Sequence, residues 1–150
     1  MRYILGLGNY AMGDDGIGLR VVEHIGSHDL DTGFEAVEVG NDGLLVMTYF
    51  TEETERLVIV DAVEFGGQPG EFTVFSPDDV ESHKTVGRIS THEGDVLKLI
   101  GLGRELKQPV PPIRIVAIEP QGMAPDTGLS HALQDHFDEY VAAALKEIRS

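Results

Sequence analysis

Apolar residues follow two different spacings along this chain, and the two spacings predict strands and helices in turn. Short apolar runs bounded by glycine, proline or acidic residues predict strands at 2–7, 34–39, 57–61, 71–75 and 113–118. Apolar residues three and four positions apart predict amphipathic helices at 16–28, 44–50, from Ser90 to about 101–103, and at about 129–148. The predicted order is therefore β-α-β-α-β-β-α-β-α.

Alternation of strands with helices favours one fold class. It is typical of a parallel sheet with right-handed crossovers and helices on both faces. The chain has 150 residues, which is enough for one such domain and few for two. We predict a single α/β domain over residues 1–150, with a doubly wound, mostly parallel sheet and helices on both faces in a phosphorylase- or hydrolase-like three-layer sandwich. The strand at 71–75 follows a glycine-rich loop and is expected near an edge.

Composition narrows the classes of function. The formal net charge is −15, from 26 acidic and 11 basic residues, and the basic residues are scattered. This argues against binding to nucleic acid or to anionic membranes, which need clustered lysine and arginine. The sequence has no apolar run of membrane-spanning length and no signal-like start, so a cytoplasmic protein is expected. Cysteine is absent, which excludes disulfides, thiolate metal ligands and a cysteine nucleophile.

Three residues that are distant in sequence, Asp15, Asp61 and His92, fall at predicted strand ends and helix starts. Asp15 follows the first strand, Asp61 ends an apolar run, and His92 lies in a Ser-Thr-His-Glu segment with the spacing of a capping box. In an open α/β sheet these positions converge on one rim, where ligands bind. Two carboxylates and an imidazole there suit a borderline divalent metal such as zinc or nickel.

Each of these residues also has a structural interpretation. Asp15 and its neighbour Asp14 stand at a helix start, where acidic side chains commonly cap the helix. Asp61 is either functional or buried with a partner. His92 is either a metal ligand or a hydrogen-bonded histidine of the rim. If Asp15 and Asp61 lie within hydrogen-bond reach, they could instead share a proton as in an aspartic protease.

Residues 6–11, Gly-Leu-Gly-Asn-Tyr-Ala, loosely match a dinucleotide-binding fingerprint, with Glu38 where an acid could bind ribose. The third glycine of the fingerprint is Ala11 here. Asp14 and Asp15 would also repel a pyrophosphate at the helix start. A dinucleotide-binding domain is therefore a weaker alternative. No G-x-S-x-G motif is present to support a serine nucleophile.

In combination, these motifs resemble the maturation endopeptidases of nickel–iron hydrogenases. The resemblance covers nearly the whole chain and depends on the order and spacing of several short pieces. In chain order the pieces are Gly6-Leu7-Gly8-Asn9, Gly13-Asp14-Asp15-Gly16-Ile17-Gly18, Val60-Asp61-Ala62, Pro69-Gly70-Glu71, Ser90-Thr91-His92 and Val116-Ala117-Ile118-Glu119-Pro120.

The resemblance implies a doubly wound α/β domain that cuts near the C-terminus of a hydrogenase large subunit. By position, Asp15, Asp61 and His92 match the family's metal-contacting residues and are the expected catalytic set. The first of these acids is often glutamate in the family, whereas Asp14 matches a preceding acid with a structural role. The implied cofactor is nickel carried by the substrate, and other divalent metals are expected to occupy the site in the isolated protein.

The leading hypothesis is therefore an endopeptidase that removes the C-terminal extension of a nickel-loaded large-subunit precursor. The peptide carbonyl would be polarised by the metal, or Asp15 or Asp61 would assist as a base, as in an aspartyl endopeptidase. A non-catalytic, nickel-sensing chaperone of the large subunit would use the same three residues and is the main alternative.

Overall fold

The computed structural model describes residues 1–79 and 96–150 in full and the backbone of residues 90–91. The strands are β1 (Arg2–Leu7), β2 (Glu35–Gly40), β3 (Arg56–Glu64), β4 (Phe72–Phe75), β5 (Ser90–Thr91) and β6 (Ile113–Ile118). The helices are α1 (Ile17–Ser27), α2 (Gly43–Met47), α3 (Val96–Glu105), α4 (His131–Asp135) and α5 (Phe137–Arg149), and a 3₁₀ turn, Gly13–Gly16, precedes α1. None of the helices in these ranges is both long and apolar enough to cross a membrane.

The strands form one sheet in the order β2-β1-β3-β6-β4, and β5 pairs separately with β3. The first four of these strands are parallel, whereas β4 runs antiparallel to β6 at the edge. This confirms the predicted doubly wound, mostly parallel sheet and the edge position of the fourth strand. The carboxyl ends of β1, β3 and β6 consequently lie along the same rim.

Helices cover both faces of the sheet, and each face has its own apolar core. On one face α1 and α5 pack through their buried apolar residues, Ile17, Val21, Val22, Ile25, Tyr140, Val141, Ala144 and Ile148. On the other face α2 and α3 pack through a smaller set, Val46, Val96 and Ile100. The centre of β3 is fully buried between them, as expected for a central parallel strand.

Close contact between α1 and the sheet explains two of the glycines in the N-terminal motif. A β-carbon on Gly6 would lie 2.4 Å from the Gly18 carbonyl oxygen, and one on Gly18 would lie 2.2 Å from the Val60 carbonyl oxygen. Any side chain at either position would therefore force the helix away from β1 and β3. The glycines bring the start of α1, and the turn before it, onto the rim.

Three predicted elements differ from the structure. Ser90 is predicted as a helix cap, but Ser90 and Thr91 pair as β5 with Glu64 and Val63. This pairing accompanies an extension of β3 to Glu64, so that Asp61 lies within the strand rather than at its end. The single helix predicted at 129–148 is divided at His136, whose backbone angles of −110° and 11° are not helical. The spacing of apolar residues could not reveal this break, because the same apolar stripe continues through both α4 and α5.

Tyr140 joins α5 to the loop before β4. Its side chain is fully buried, and its hydroxyl donates a hydrogen bond of 2.5 Å to the Gly70 carbonyl. Burial, with the nearby charges of Glu139 and Asp14, raises the pKa of Tyr140 to about 12. The hydrogen bond to Gly70 requires a neutral Tyr140. Between about pH 10 and pH 12 this tyrosine stays neutral in the folded protein but ionises in the unfolded chain.

We expect Tyr140→Phe to lower the free energy of unfolding by about 1–3 kcal/mol at neutral pH, because the buried Gly70 carbonyl loses its donor. The unfolded tyrosine ionises near pH 10, below the folded value, so this contribution is present below about pH 10 and falls as the pH rises toward 12. Urea unfolding of both proteins at several pH values measures the difference. An equal difference at pH 7 and pH 11.5 would contradict the assignment.

Candidate functional site

Asp15 and Asp61, which are 46 positions apart in sequence, line the same narrow cleft at the rim of the sheet. Both carboxylates are buried, Asp15 being 0% and Asp61 5% exposed. The remaining wall of the cleft comes from the ends of β1 and β2 and from α2 and α3, through Leu7, Gly8, Gly40, Asn41, Gly43 and Leu99. The structure thus brings together two of the three residues that the sequence singles out.

The position of Asp61 follows from the register of the sheet. The pairing of β3 with β1 ends at Val60, which lies opposite Gly6, whereas the pairing with β6 continues through Asp61 and Ala62. Asp61 is therefore the first residue of β3 beyond its ladder with β1. It lies beside the point at which β1 ends and the chain turns toward the 3₁₀ turn.

Asp15 is placed by a tight approach of the chain to Gly8. This glycine has φ of +123°, and a β-carbon there would lie 1.8 Å from the Asp15 carbonyl oxygen. Only glycine combines that backbone angle with that contact. The Asp15 N–H donates to the Met12 carbonyl at 3.1 Å, which closes the turn. Asp15 is thus held against the end of β1.

Asp14 and Asp15 have different surroundings although they are adjacent and of the same type. The Asp14 carboxylate is fully buried and accepts hydrogen bonds from Gln121, Gly122 and Ser130, on the loop after β6. Asp15 instead lines the cleft. Neither is a helix cap, because α1 begins after Gly16 without a side-chain cap. The helix-cap interpretation is therefore wrong for both, and Asp14 has the structural role that the family resemblance implies.

His92, the third predicted residue, lies outside the described residues, and its place in the site remains a prediction. The nearest described part of its segment is β5, in which Thr91 pairs with Val63, two positions after Asp61 in β3. Within residues 1–79 and 96–150, no three histidine, cysteine or acidic side chains are grouped so as to hold a metal. The predicted three-ligand set is therefore incomplete without His92.

The size and charge of the cleft limit what it can hold. Its volume is about 10 Å³, on a scale where one water molecule needs about 10–15 Å³. Organic cofactors occupy clefts of about 300–1,000 Å³. Two acidic side chains that line so narrow a space repel each other when ionised, and a cation between them would offset that repulsion. Carboxylate oxygens are suitable ligands for such a cation and can also orient a water or accept its proton.

The dinucleotide alternative finds no support among the described residues. Gly6 is required for packing against Gly18, and Gly8 for its contact with Asp15. Glu38, the candidate ribose ligand, accepts a hydrogen bond from the Tyr10 hydroxyl. The glycine pattern that resembles a dinucleotide fingerprint is thus explained by close packing at the rim.

Asn41 is a residue of the cleft that the sequence analysis did not single out. It lies between Gly40, whose carbonyl accepts the Gly8 N–H at 3.1 Å, and Asp42, whose carboxylate accepts the Leu45 N–H at 3.2 Å as the cap of α2. The hydrogen bonds of Gly40 and Asp42 therefore fix the position of Asn41 at the cleft. The available signal was a Gly-Asn-Asp-Gly turn directly after a predicted strand, since such turns also reach the carboxyl rim of a parallel sheet.

Several known proteins similar to this chain are named for hydrogenase maturation or formation. A family model described as hydrogenase maturation protease, HycI, matches residues 19–147. The hydrogenase expression/formation protein HupD of Rhodobacter capsulatus is 28% identical, over 98% of this chain and 70% of the relative. The chain spans about half the length of three further curated relatives, at 45%, 47% and 53%.

Solved structures of the same group have the same fold. The [NiFe] hydrogenase maturation protease HybD of Thermococcus kodakarensis is 27% identical, covers 98% of both chains and has a TM-score of 0.76. The hydrogenase maturating endopeptidase HybD of Escherichia coli is 21% identical, covers 99% of this chain and 91% of that one, and has a TM-score of 0.80. The family match includes Asp61 but begins after Asp15, so the link between the two aspartates comes from the structure.

Proposed function

This chain belongs to the hydrogenase maturation protease family, a family of peptidases, and from that membership we propose that it is an endopeptidase of hydrogenase maturation. Its proposed substrate is a nickel-loaded large-subunit precursor in the cytoplasm, from which it removes the C-terminal extension. The observation that carries this proposal is the convergence of Asp15 and Asp61 on one narrow cleft. A cleft of that size accepts an ion or a water rather than a large cofactor.

Nickel enters this proposal as part of the substrate. The Asp15 and Asp61 carboxylates would contact the metal already seated in the precursor, and His92 is proposed as the nitrogen ligand that completes the set. Two carboxylates and one imidazole leave further positions on the metal for groups of the precursor. Recognition of the metal would bring the scissile peptide to the cleft, so that only a loaded precursor is aligned for cleavage.

The reaction itself is hydrolysis of one peptide bond. Water adds to the carbonyl carbon, the C–N bond breaks, and the new amine takes a proton. One route has the metal polarise the carbonyl oxygen. The other has an ionised Asp15 or Asp61 accept the proton of the attacking water and deliver it to the leaving nitrogen. The second route would make the protein an aspartyl endopeptidase in the chemical sense.

Incubation of the purified protein with nickel-loaded precursor tests the proposal. Intact-mass spectrometry is expected to show the precursor replaced by a shorter large subunit and one released C-terminal peptide. A stable complex with no loss of mass would favour the nickel-sensing chaperone instead. A rise in melting temperature with a nicotinamide or flavin dinucleotide, and no cleavage, would favour the dinucleotide alternative.

A further inference from the structure

The segment between β6 and α4, residues 119–130, contacts both the loop that follows the Asp61 strand and the turn that carries Asp15. At its start, Glu119 is 8% exposed, and its Oε1 accepts the N–H groups of Phe65 and Gly67 at 2.9 and 3.0 Å. Its carbonyl also accepts the Gly70 N–H at 2.9 Å. These partners belong to the loop directly after β3. The start of the segment therefore holds the loop that follows β3, the strand in which Asp61 lies three positions before the end.

Residues Gln121 and Gly122, together with Ser130 at the far end of the segment, hold the turn that carries Asp15. Oδ2 of Asp14 accepts the N–H groups of Gln121 and Gly122 at 2.9 and 3.1 Å and the Ser130 hydroxyl at 2.8 Å. Oδ1 accepts the Ser130 N–H at 2.7 Å. The Asp14 N–H in turn donates to the Gly122 carbonyl at 2.9 Å. Four accepted bonds and one donated bond thus fix the residue immediately before Asp15.

The two cleft carboxylates need such external support. When both are ionised, Asp15 and Asp61 repel each other in so narrow a space, so contacts from the surrounding chain are needed to set their spacing before a substrate metal arrives. A metal-contacting or catalytic pair has to be held within about 0.5 Å of its productive geometry by the surrounding shell. Residues 119–130 are connected to both sides of the cleft and are suited to supply that support.

We propose that residues 119–130 act as a brace that sets the spacing of Asp15 and Asp61, with Asp14 and Glu119 as its positioning residues. The inference rests on the proposed function, because the spacing matters only if both aspartates contact one metal or one reacting water. Asp14 and Glu119 act through the backbone segments that they hold, and neither is itself a catalytic residue.

The geometry predicts that the two positioning residues tolerate amide replacement differently. Glu119 receives both N–H groups on one oxygen, and glutamine offers an equivalent carbonyl oxygen. Asp14 receives donors on both oxygens. Asparagine would therefore turn an N–H₂ group toward another donor. Glu119→Gln should therefore keep the hydrogen bonds to the loop after β3 that Glu119→Ala loses. Asp14→Asn, in contrast, should lose part of the hydrogen bonding that holds the turn before Asp15.

The test compares Asp14→Asn, Ser130→Ala, Glu119→Ala and Glu119→Gln with a matched control, Thr127→Val. The Thr127 hydroxyl lies beside Gly13 and donates to the Ala124 carbonyl within the same segment, so the nearly isosteric valine keeps the packing and removes one hydroxyl that does not bond to Asp14. Three quantities are measured: the affinity of the isolated protein for Ni²⁺ alone, hydrogen exchange in residues 12–18 and 60–67, and kcat and KM on loaded precursor.

We expect Asp14→Asn to weaken Ni²⁺ binding about 10- to 100-fold, the usual effect of losing a residue that orients metal ligands. It should lower kcat by a similar factor with little change in KM, and should speed exchange in residues 12–18. Ser130→Ala, which removes one donor, should show a smaller loss in the same measurements. Glu119→Ala should speed exchange in residues 60–67, and Glu119→Gln and Thr127→Val should stay close to the parent protein.

Wild-type affinity, exchange and kcat in both Asp14→Asn and Ser130→Ala would overturn the brace, as would an equal loss in Thr127→Val. If Asp14→Asn does not fold, Ser130→Ala decides the question. Failure of the parent protein to cut the precursor would count against the proposed function alone, because Ni²⁺ binding and hydrogen exchange judge the brace independently of cleavage.

Discussion

Asp61→Asn is expected to abolish processing of the nickel-loaded precursor, with kcat/KM lower by at least about 1,000-fold. Asparagine keeps the shape of the side chain but removes its negative charge, so it binds a metal weakly and cannot accept a proton from water. The position makes compensation difficult, because Asp61 is 5% exposed and lies within the central strand. Gel or mass analysis of the precursor over time measures the loss.

A matched control for this experiment lies three positions further along the same strand. Glu64→Gln also removes one carboxylate from β3, but Glu64 is exposed and does not line the cleft. It should process precursor at close to the parent rate. His92→Ala is expected to abolish cleavage as Asp61→Asn does. Complete processing by purified Asp61→Asn and His92→Ala, with folding verified by circular dichroism, would end the assignment of Asp61 and His92 to the site.

Precursor that lacks nickel is expected to remain uncut, with a rate at least about 100-fold below that of loaded precursor. Metal coordination contributes several kcal/mol to binding and charge stabilisation, and each 1.4 kcal/mol corresponds to about tenfold. Without the substrate cation, the precursor loses the positive charge that the two buried carboxylates lining the cleft would attract. Addition of Ni²⁺ to the folded apo-precursor should restore cleavage, which separates recognition of the metal from damage to the substrate.

Cleavage of apo-precursor at the rate of the loaded form would remove nickel from the recognition step. It would leave the peptidase assignment standing and favour the route in which an aspartate activates the water. Restored cleavage with Mg²⁺ in place of Ni²⁺ would also contradict nickel recognition, because a borderline metal and a hard metal differ in their affinity for the proposed imidazole ligand.

The position of Asp61 at the rim of the sheet could largely be predicted from the local sequence pattern. The apolar run Leu57–Val60 lies between Arg56 and Asp61 and is typical of a central parallel strand, so the carboxylate at its end is expected at the rim. The extension of β3 to Glu64 could not be predicted in the same way. It depends on pairing with Ser90 and Thr91, which contain no strand pattern of their own and instead match a helix-capping motif.

The roles of Asp14 and Asp15 show where local pattern stops being sufficient. The two residues have the same side chain and neighbouring positions, and sequence spacing indicates only that one of them can face the cleft. Asp14 is engaged by donors at Gln121 and Ser130, 107 and 116 positions away. Asn41 was missed for a related reason, because a turn residue shows its place in a cleft only when the neighbouring strands are in position.

By itself, the sequence determined the alternation of strands and helices, the parallel sheet and the rim on which both aspartates lie. The strands and helices follow from residue spacing within each element. The sheet and its rim follow because only a few topologies can connect such elements. Only the tertiary structure decided which aspartate lines the cleft, how far β3 extends and which segment supports the site. Those features depend on hydrogen bonds between residues far apart in the chain, and such bonds leave no periodic signal in the sequence.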